Sequence, residues 1–195
     1  MKILRPLTDA EVVSTFIRAE LNSQRFRTKL LNVAKALGVS EVELLDSNTA
    51  DDQLNENRRD VLVHARPGIM KTLPDDVVWH EVLLSAEEWL RIQYINDEPW
   101  AVFSDNTRLV SLGATKALQE PDRTIHQRMI EIHKKMQHGE RIEKIILLAD
   151  PGLTKIVVVE GHVRATSYVA LGIHGAAEIP VVLGTSQHPE KWSLY

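Results

Sequence analysis

Glu160, Gly161, His162 and Arg164 stand together where a run of β-branched residues, Ile156 to Val159, gives way to helix-forming residues. That run predicts a buried strand and the residues after Gly161 predict a helix, so the glycine falls at a strand-to-helix turn. Such a turn can hold an anion. The first N–H groups of a helix have no partners within it, and the aligned peptide dipoles place partial positive charge there. Arg164 adds a fixed guanidinium with fork geometry, and His162 a ring that can donate to a phosphate oxygen or cap the helix start. Glu160 is the candidate catalytic acid: beside a bound phosphate it could hold Mg²⁺, accept a proton from a substrate hydroxyl, or only orient Arg164. The same pattern also serves as a plain strand, turn and helix, in which the glycine answers a backbone need alone.

A second candidate is Ser104-Asp105-Asn106-Thr107-Arg108, which follows the aromatic segment Trp100 to Phe103 and precedes a helix expected from Arg108 to Leu118. Ser104 or Asp105 there could be an ordinary N-cap. Alternatively Asn106 and Arg108, with the new helix start, hold a second phosphate or the anionic group of a substrate, and Ser104 and Asp105 line that site. Glu81, on a strand expected from Val77 to Leu84, is either a further substrate-binding acid or a strand-edge carboxylate paired with an arginine. His126, His133 and His138 lie near one helix among basic residues without a metal-binding spacing, and are read as solvent-exposed. Trp79, Trp89 and Trp100 read as core aromatics, and Trp192 as a cover for the sheet edge.

The elements that must position these groups follow from periodicity. The first seventy residues read as helical: Thr8 to Glu11 and Ser40 to Glu43 have the form of capping boxes, and Val13, Phe16, Ile17 and Leu21 recur at helical spacing. A helix from Arg25 to Leu37 is stopped by Gly38, Asp46 to Asn57 reads as an acidic loop, and Asn57 to His64 returns to helix. Ser85 to Glu88 looks like a third cap, and a helix is expected from Asp122 to Gln137. Strands at Ile145 to Ala149, Ile156 to Val159 and Ile179 to Leu183 complete a small mixed sheet. The expectation is an α+β fold, with an N-terminal helical segment over residues 1–72 and a nucleotide-binding core over 73–195.

Composition narrows the function classes. A chain of 195 residues with 44% hydrophobic and 26% charged content can bury a substantial core. Its 23 basic and 27 acidic residues leave a net charge of −4, which argues against nucleic acid as a nonspecific partner. Lys35 to Ser40 has a helix-turn-helix flavour, but Asp46, Asp51 and Asp52 beyond it would repel phosphate, so the helical segment reads as a docking or homodimerisation layer. The chain lacks cysteine, a signal-peptide pattern and an apolar run of membrane-spanning length, so a cytoplasmic protein without membrane contact is expected.

The string Glu160-Gly161-His162-Val163-Arg164-Ala165 resembles the Gly-x-x-Arg-x-x-Ala-type box of the ParB/sulfiredoxin superfamily, in which a strand delivers a glycine-led helix start to a nucleotide's phosphates. Asn106-Thr107-Arg108 is similar to the Asn-x-Arg element that members often carry upstream, and the resemblance spans roughly residues 75 to 185. The layout, including Trp192 to Tyr195, is similar to that of a widespread bacterial family. The resemblance implies a ParB/sulfiredoxin-like sheet packed with helices. It also implies phosphate contacts from Gly161, His162, Arg164 and Ala165, and ATP or CTP with Mg²⁺ as ligands.

Departures bound what carries over. Sulfiredoxin proper has a catalytic cysteine beside this glycine, where His162 stands here, so sulfinic-acid reduction is not expected. Partition-type ParB proteins continue into a DNA reader, for which Leu171 to Tyr195 leave little chain. Free-serine kinases of the superfamily have an Asp-Gly-His-His-Arg form of the box, of which Glu160 to Arg164 is the nearest variant. The function implied is a nucleotide-binding protein, as a Mg-dependent phosphotransferase or phosphohydrolase with a small polar metabolite as acceptor. The alternatives are a non-catalytic nucleotide-sensing module and a DNA-associated nuclease or binder.

Overall fold

The centre of the molecule is a pair of strands that are apolar on both faces. In the computed structural model, which describes residues 1–173 and 178–195, β4 (Ile146–Ala149) and β5 (Ile156–Glu160) are buried along almost their whole length. Strands buried this way must be covered twice, and alternate side chains enter two cores. Ile146, Leu148, Val157 and Val159 pack with the N-terminal helices, whereas Leu147, Ala149, Ile156 and Val158 pack with the helices that follow β2.

Around this pair the chain builds a six-stranded mixed sheet in the order β1-β2-β6-β4-β5-β3. It comprises β1 (Lys2–Pro6), β2 (Val78–Leu83), β3 (Ile92–Gln93), β4, β5 and β6 (Pro180–Thr185). One face carries α1 (Asp9–Leu21), α2 (Arg27–Ala36), α3 (Glu41–Leu45), α4 (Asp52–Ala65) and α5 (Pro67–Met70). The other carries α6 (Ala86–Leu90), α7 (Glu98–Phe103), α8 (Val110–Gln119), α9 (Thr124–Gln137) and α10 (His162–Ala170). The fold is α+β, with a layer of helices on each side of the sheet. Among the described residues no helix is long and apolar enough to cross a membrane.

Local chemistry explains most boundaries. Thr8, Ser40 and Ser85 each close a capping box, with Glu11, Glu43 and Glu88 returning to the cap's N–H. Gly38 and Gly139 take left-handed conformations after α2 and α9, as their stop roles require. The acidic stretch before α4 is shorter than its composition predicts. Asp51 accepts from Leu54 N–H and Asp52 lies in the first turn, so two of the acids start the helix that they were expected to delay.

Two strands depart from the sequence expectation. The chain opens with β1, not with helix, and this strand is exposed along its whole length. Nothing in its own pattern marks it, because it is fixed by antiparallel pairing with β2, from Lys2 opposite Leu83 to Pro6 opposite His80. Strand β3 is two residues long and is set by parallel pairing with β5. The N-terminal segment therefore donates a strand to the common sheet, and the stretch around residues 72 and 73 connects α5 to β2. Trp192 lies in the segment that closes the chain, where Asn96 N–H, just after the edge strand β3, donates to Leu194 O at 2.8 Å. Trp192 itself is buried in the core beneath the N-terminal helices.

Arg58 holds the acidic loop together. Its side chain is fully buried and donates to the carbonyls of Glu43 (3.2 Å), Asn48 (2.9 Å) and Asp46, which the loop would otherwise leave unpaired. Replacing it by methionine keeps the bulk and removes the donors. We expect Arg58→Met to lower unfolding free energy by about 2–3 kcal/mol in urea titration, the order for buried bonds to a charged group.

Candidate functional site

Gly161 is the N-cap of α10, with φ 97°, in the left-handed region that favours glycine. A Cβ there would also meet the Arg164 guanidinium at 3.0 Å and Ile145 at 3.2 Å. Arg164 therefore does not project outward from the first turn. It folds back over the glycine, pairs with Glu160 and donates to the carbonyl of Glu143 at 3.1 Å. Both partners are largely buried, with 13% and 16% side-chain exposure. The helix start has no side-chain cap. Ala165 N–H is already satisfied, donating to Gly161 O at 2.8 Å, and the Ala165 side chain lies in the core. Ala165 is thus removed from the predicted phosphate contacts, because it makes the first regular bond of the helix.

His162 does not face outward as a surface ligand either. Its ring stacks on Trp100 (4.8 Å between centroids, 18° between planes), and Trp100 stacks on Tyr94 (4.6 Å, 25°). The residue keeps partial exposure, but its Nε2 is shut off from solvent and has no hydrogen-bond partner among the described residues. Burial, with a smaller contribution from the Arg66 charge, pulls its pKa down to about 3. Tyr94 closes the arrangement through its hydroxyl, 2.7 Å from Thr166 Oγ1 on α10.

The N-terminal helices reach the same place. Glu20, near the end of α1, is 1% exposed, and its Oε2 has no hydrogen-bond partner among the described residues. Arg66 lies 3.4 Å from the other oxygen, and its guanidinium sits over the Phe26 ring at 3.8 Å. Burial raises the Glu20 pKa against the opposing pull of Arg66, Arg164, Arg25 and Lys29. Burial likewise lowers the pKa of Arg66 and of Arg164. A buried carboxylate thus sits in the field of several cations from both sides of the molecule. Glu20 and Arg66 did not emerge as site residues from the sequence. The signal was present in α1, where Glu20 falls at helical spacing after Val13, Phe16 and Ile17, a charge on an otherwise apolar stripe.

The 104–108 segment is built differently from its sequence expectation. Ser104 ends α7, its hydroxyl donating to Trp100 O at 2.8 Å, and it caps no helix start. Asp105, Asn106 and Arg108 all have positive φ, and α8 begins only at Val110. Asp105 pairs with Lys116 at 2.9 Å, and Asn106 is exposed. The Arg108 guanidinium is a clasp, donating to Tyr94 O at 3.0 and 2.7 Å and to the main-chain oxygens of Leu194 and Tyr195 at 3.4 and 3.2 Å. It supports the backbone beneath the Tyr94 ring, and its donors are occupied by main chain.

Glu81 lies apart from this cluster. The register runs from Glu81 to Val182, from Val182 to Ile146 and from Ile146 to Glu160, so the two acids are three strands apart, about 14 Å at ordinary sheet spacing. Glu81 is paired with Arg5 at 3.0 Å and with Lys144. Burial pushes its carboxyl up, but Lys144 and Arg5 outweigh that and hold it below the usual range. The pairing reading of Glu81 is the one the structure carries. Among the described residues no group of three or more His, Asp or Glu is arranged to hold a metal ion.

No protein-family model, curated protein or solved structure matches the chain.

The buried histidine generates a pH prediction. His162 is held neutral in the folded state to about pH 3, whereas an unfolded histidine protonates near 6.5, so stability is lost as pH falls through the unfolded value. His162→Phe keeps the stack and removes the titration. We expect the wild type to lose about 1–2 kcal/mol more than the variant between pH 7 and pH 5. An equal loss of unfolding free energy in wild type and variant, from urea titrations at the two pH values, would contradict the buried neutral ring.

Proposed function

We propose that this protein binds the phosphates of a nucleotide at the start of α10, and that binding exchanges internal carboxylates for the ligand's anion. The observation that carries the reading is the uncapped, glycine-led start of α10, with an arginine folded over it whose charge is met by an internal carboxylate. Arg164 and Arg66, buried in the same region, are neutralised by Glu160 and Glu20, and Glu20 feels both cations. Each carboxylate stands in for an anion that the cations and the α10 dipole would stabilise. The resemblance of Glu160 to Ala165 to the ParB/sulfiredoxin box supports the same ligand class.

This reading favours a sensing module. A phosphate that takes Arg164 from Glu160 also alters the field at Glu20, which lies in the core of the N-terminal helical layer, so occupancy at α10 is coupled to α1. Turnover is the second reading, favoured by the place of Glu160. Once released from Arg164 it is a carboxylate at the strand end beside the phosphates, suited to act as a base or to share Mg²⁺. Among the described residues no group of His, Asp and Glu is arranged to cage Mg²⁺, and in this reading the ion arrives with the nucleotide, where it would neutralise phosphate charge.

The test is a thermal-shift panel of ATP, ADP, CTP and GTP, with and without Mg²⁺, on wild type, Glu160→Gln and Arg164→Lys. At about 100 times Kd a ligand specific to the folded state stabilises it by about 2.7 kcal/mol. Glu160→Gln removes the competing anion and should tighten binding by roughly five- to tenfold, about 1–1.4 kcal/mol. Arg164→Lys loses the fork and should weaken it. If no nucleotide shifts either wild type or Glu160→Gln, the reading fails.

A further inference from the structure

On the face of the sheet opposite α10, a cavity of about 320 Å³ opens between α1, α4 and the strands. Its floor is packed core, Phe16, Leu62, Trp79 and Val159, and the half-buried Val63, Met70, Leu73 and Val77 give the apolar wall that a guest can reach. Protein interiors leave few voids, and this volume falls within the range of small-molecule sites. The mouth is of another kind. Asp9 and Arg59 stand there 3.9 Å apart, with 69% and 58% of their side chains exposed, and Lys71 and Asp75 complete the rim from the stretch after α5. A carboxylate and a cation thus come from the helices, and another of each from the following stretch.

The charge pattern identifies the ligand class. A purely apolar guest would not use the rim, and a simple anion or cation would meet a charge of its own sign beside its partner. A small zwitterion satisfies both. We propose that this cavity binds an α-amino acid with a large apolar or aromatic side chain. The side chain lies against Val63, Met70 and Val77, the carboxylate meets Arg59 and Lys71, and the ammonium meets Asp9 and Asp75. The Met70 thioether on this wall favours a ring, through a sulfur–aromatic contact. The site is separate from the α10 cluster and does not depend on nucleotide binding.

The test uses L-phenylalanine and L-tryptophan as probes in calorimetry and thermal shift on the full chain. 3-Phenylpropionate, which lacks the ammonium, and phenethylamine, which lacks the carboxylate, serve as controls. The expected result is saturable binding of an aromatic amino acid, with each control weaker by about tenfold, the scale of one charge-assisted contact. Val63, half-buried and part of the lining, is the point at which to fill the cavity, and Val63→Phe should abolish binding. Arg59→Gln, a change at an exposed side chain, should leave the ligand-free melting temperature unchanged and weaken binding severalfold. The proposal is overturned if neither amino acid binds at about 10 mM, a concentration that would saturate even a millimolar site. It is also overturned if the one-charge controls bind equally well, or if binding survives both variants.

Discussion

The ion pair between Glu160 and Arg164 over a left-handed Gly161 is the constraint on which the centre of this protein turns. It closes the step from β5 into α10 on itself. The arginine also takes the carbonyl of Glu143, so the chain entering β4 is tied to the chain leaving β5. A side chain larger than hydrogen at Gly161 would strike the guanidinium and Ile145 together. Backbone conformation, buried charge and packing therefore converge on one residue, and none of the three can change without disturbing the others. Buried pairs of this kind contribute little net stability, but losing one partner leaves an uncompensated charge, which makes the pair an exchange point for a competing anion.

The aromatic and basic surroundings follow from that closure. With Arg164 folded back, the first ring of α10 packs against Trp100 and Tyr94, and a histidine at that place must remain neutral. Tyr94 is fixed from two directions, its hydroxyl by Thr166 and its carbonyl by Arg108. Arg108 reaches its carbonyl partners from a left-handed backbone, within a segment where Asp105 and Asn106 are also left-handed. The conformational cost of that segment is offset by the donors it aims at Tyr94, Leu194 and Tyr195. On the other face Glu20 and Arg66 bring the N-terminal layer into electrostatic contact with the same helix start, so the two cores meet through charge as well as through the sheet.

What the sequence made legible was chemistry carried by neighbours along the chain. Capping boxes, glycine stops and the β-branched strand before Gly161 depend on residues within a few positions of one another, and the structure has them. Strand β1 was not legible because its order comes from β2, about seventy-five residues away, and from no apolar face of its own. The glycine turn was legible and the orientation of Arg164 was not. A carboxylate four residues before an arginine either leaves it free or captures it, and spacing alone does not choose. Glu20 was visible as a charge on an apolar stripe, but its meaning depends on Arg66 and Arg164, which only the fold brings near.

The central claim is that a ligand's phosphate and the Glu160 carboxylate compete for one guanidinium. The direct measurement is the side-chain Nε–Hε resonance of Arg164, followed by NMR while ATP and Mg²⁺ are titrated into the wild-type protein. The account predicts that the resonance moves along a saturable isotherm, from its position in the ion pair to one that is the same in the Glu160→Gln variant at saturation. A resonance that stays in place through the titration would contradict the account. Glu160 and Arg164 would then be a structural clasp and nothing more.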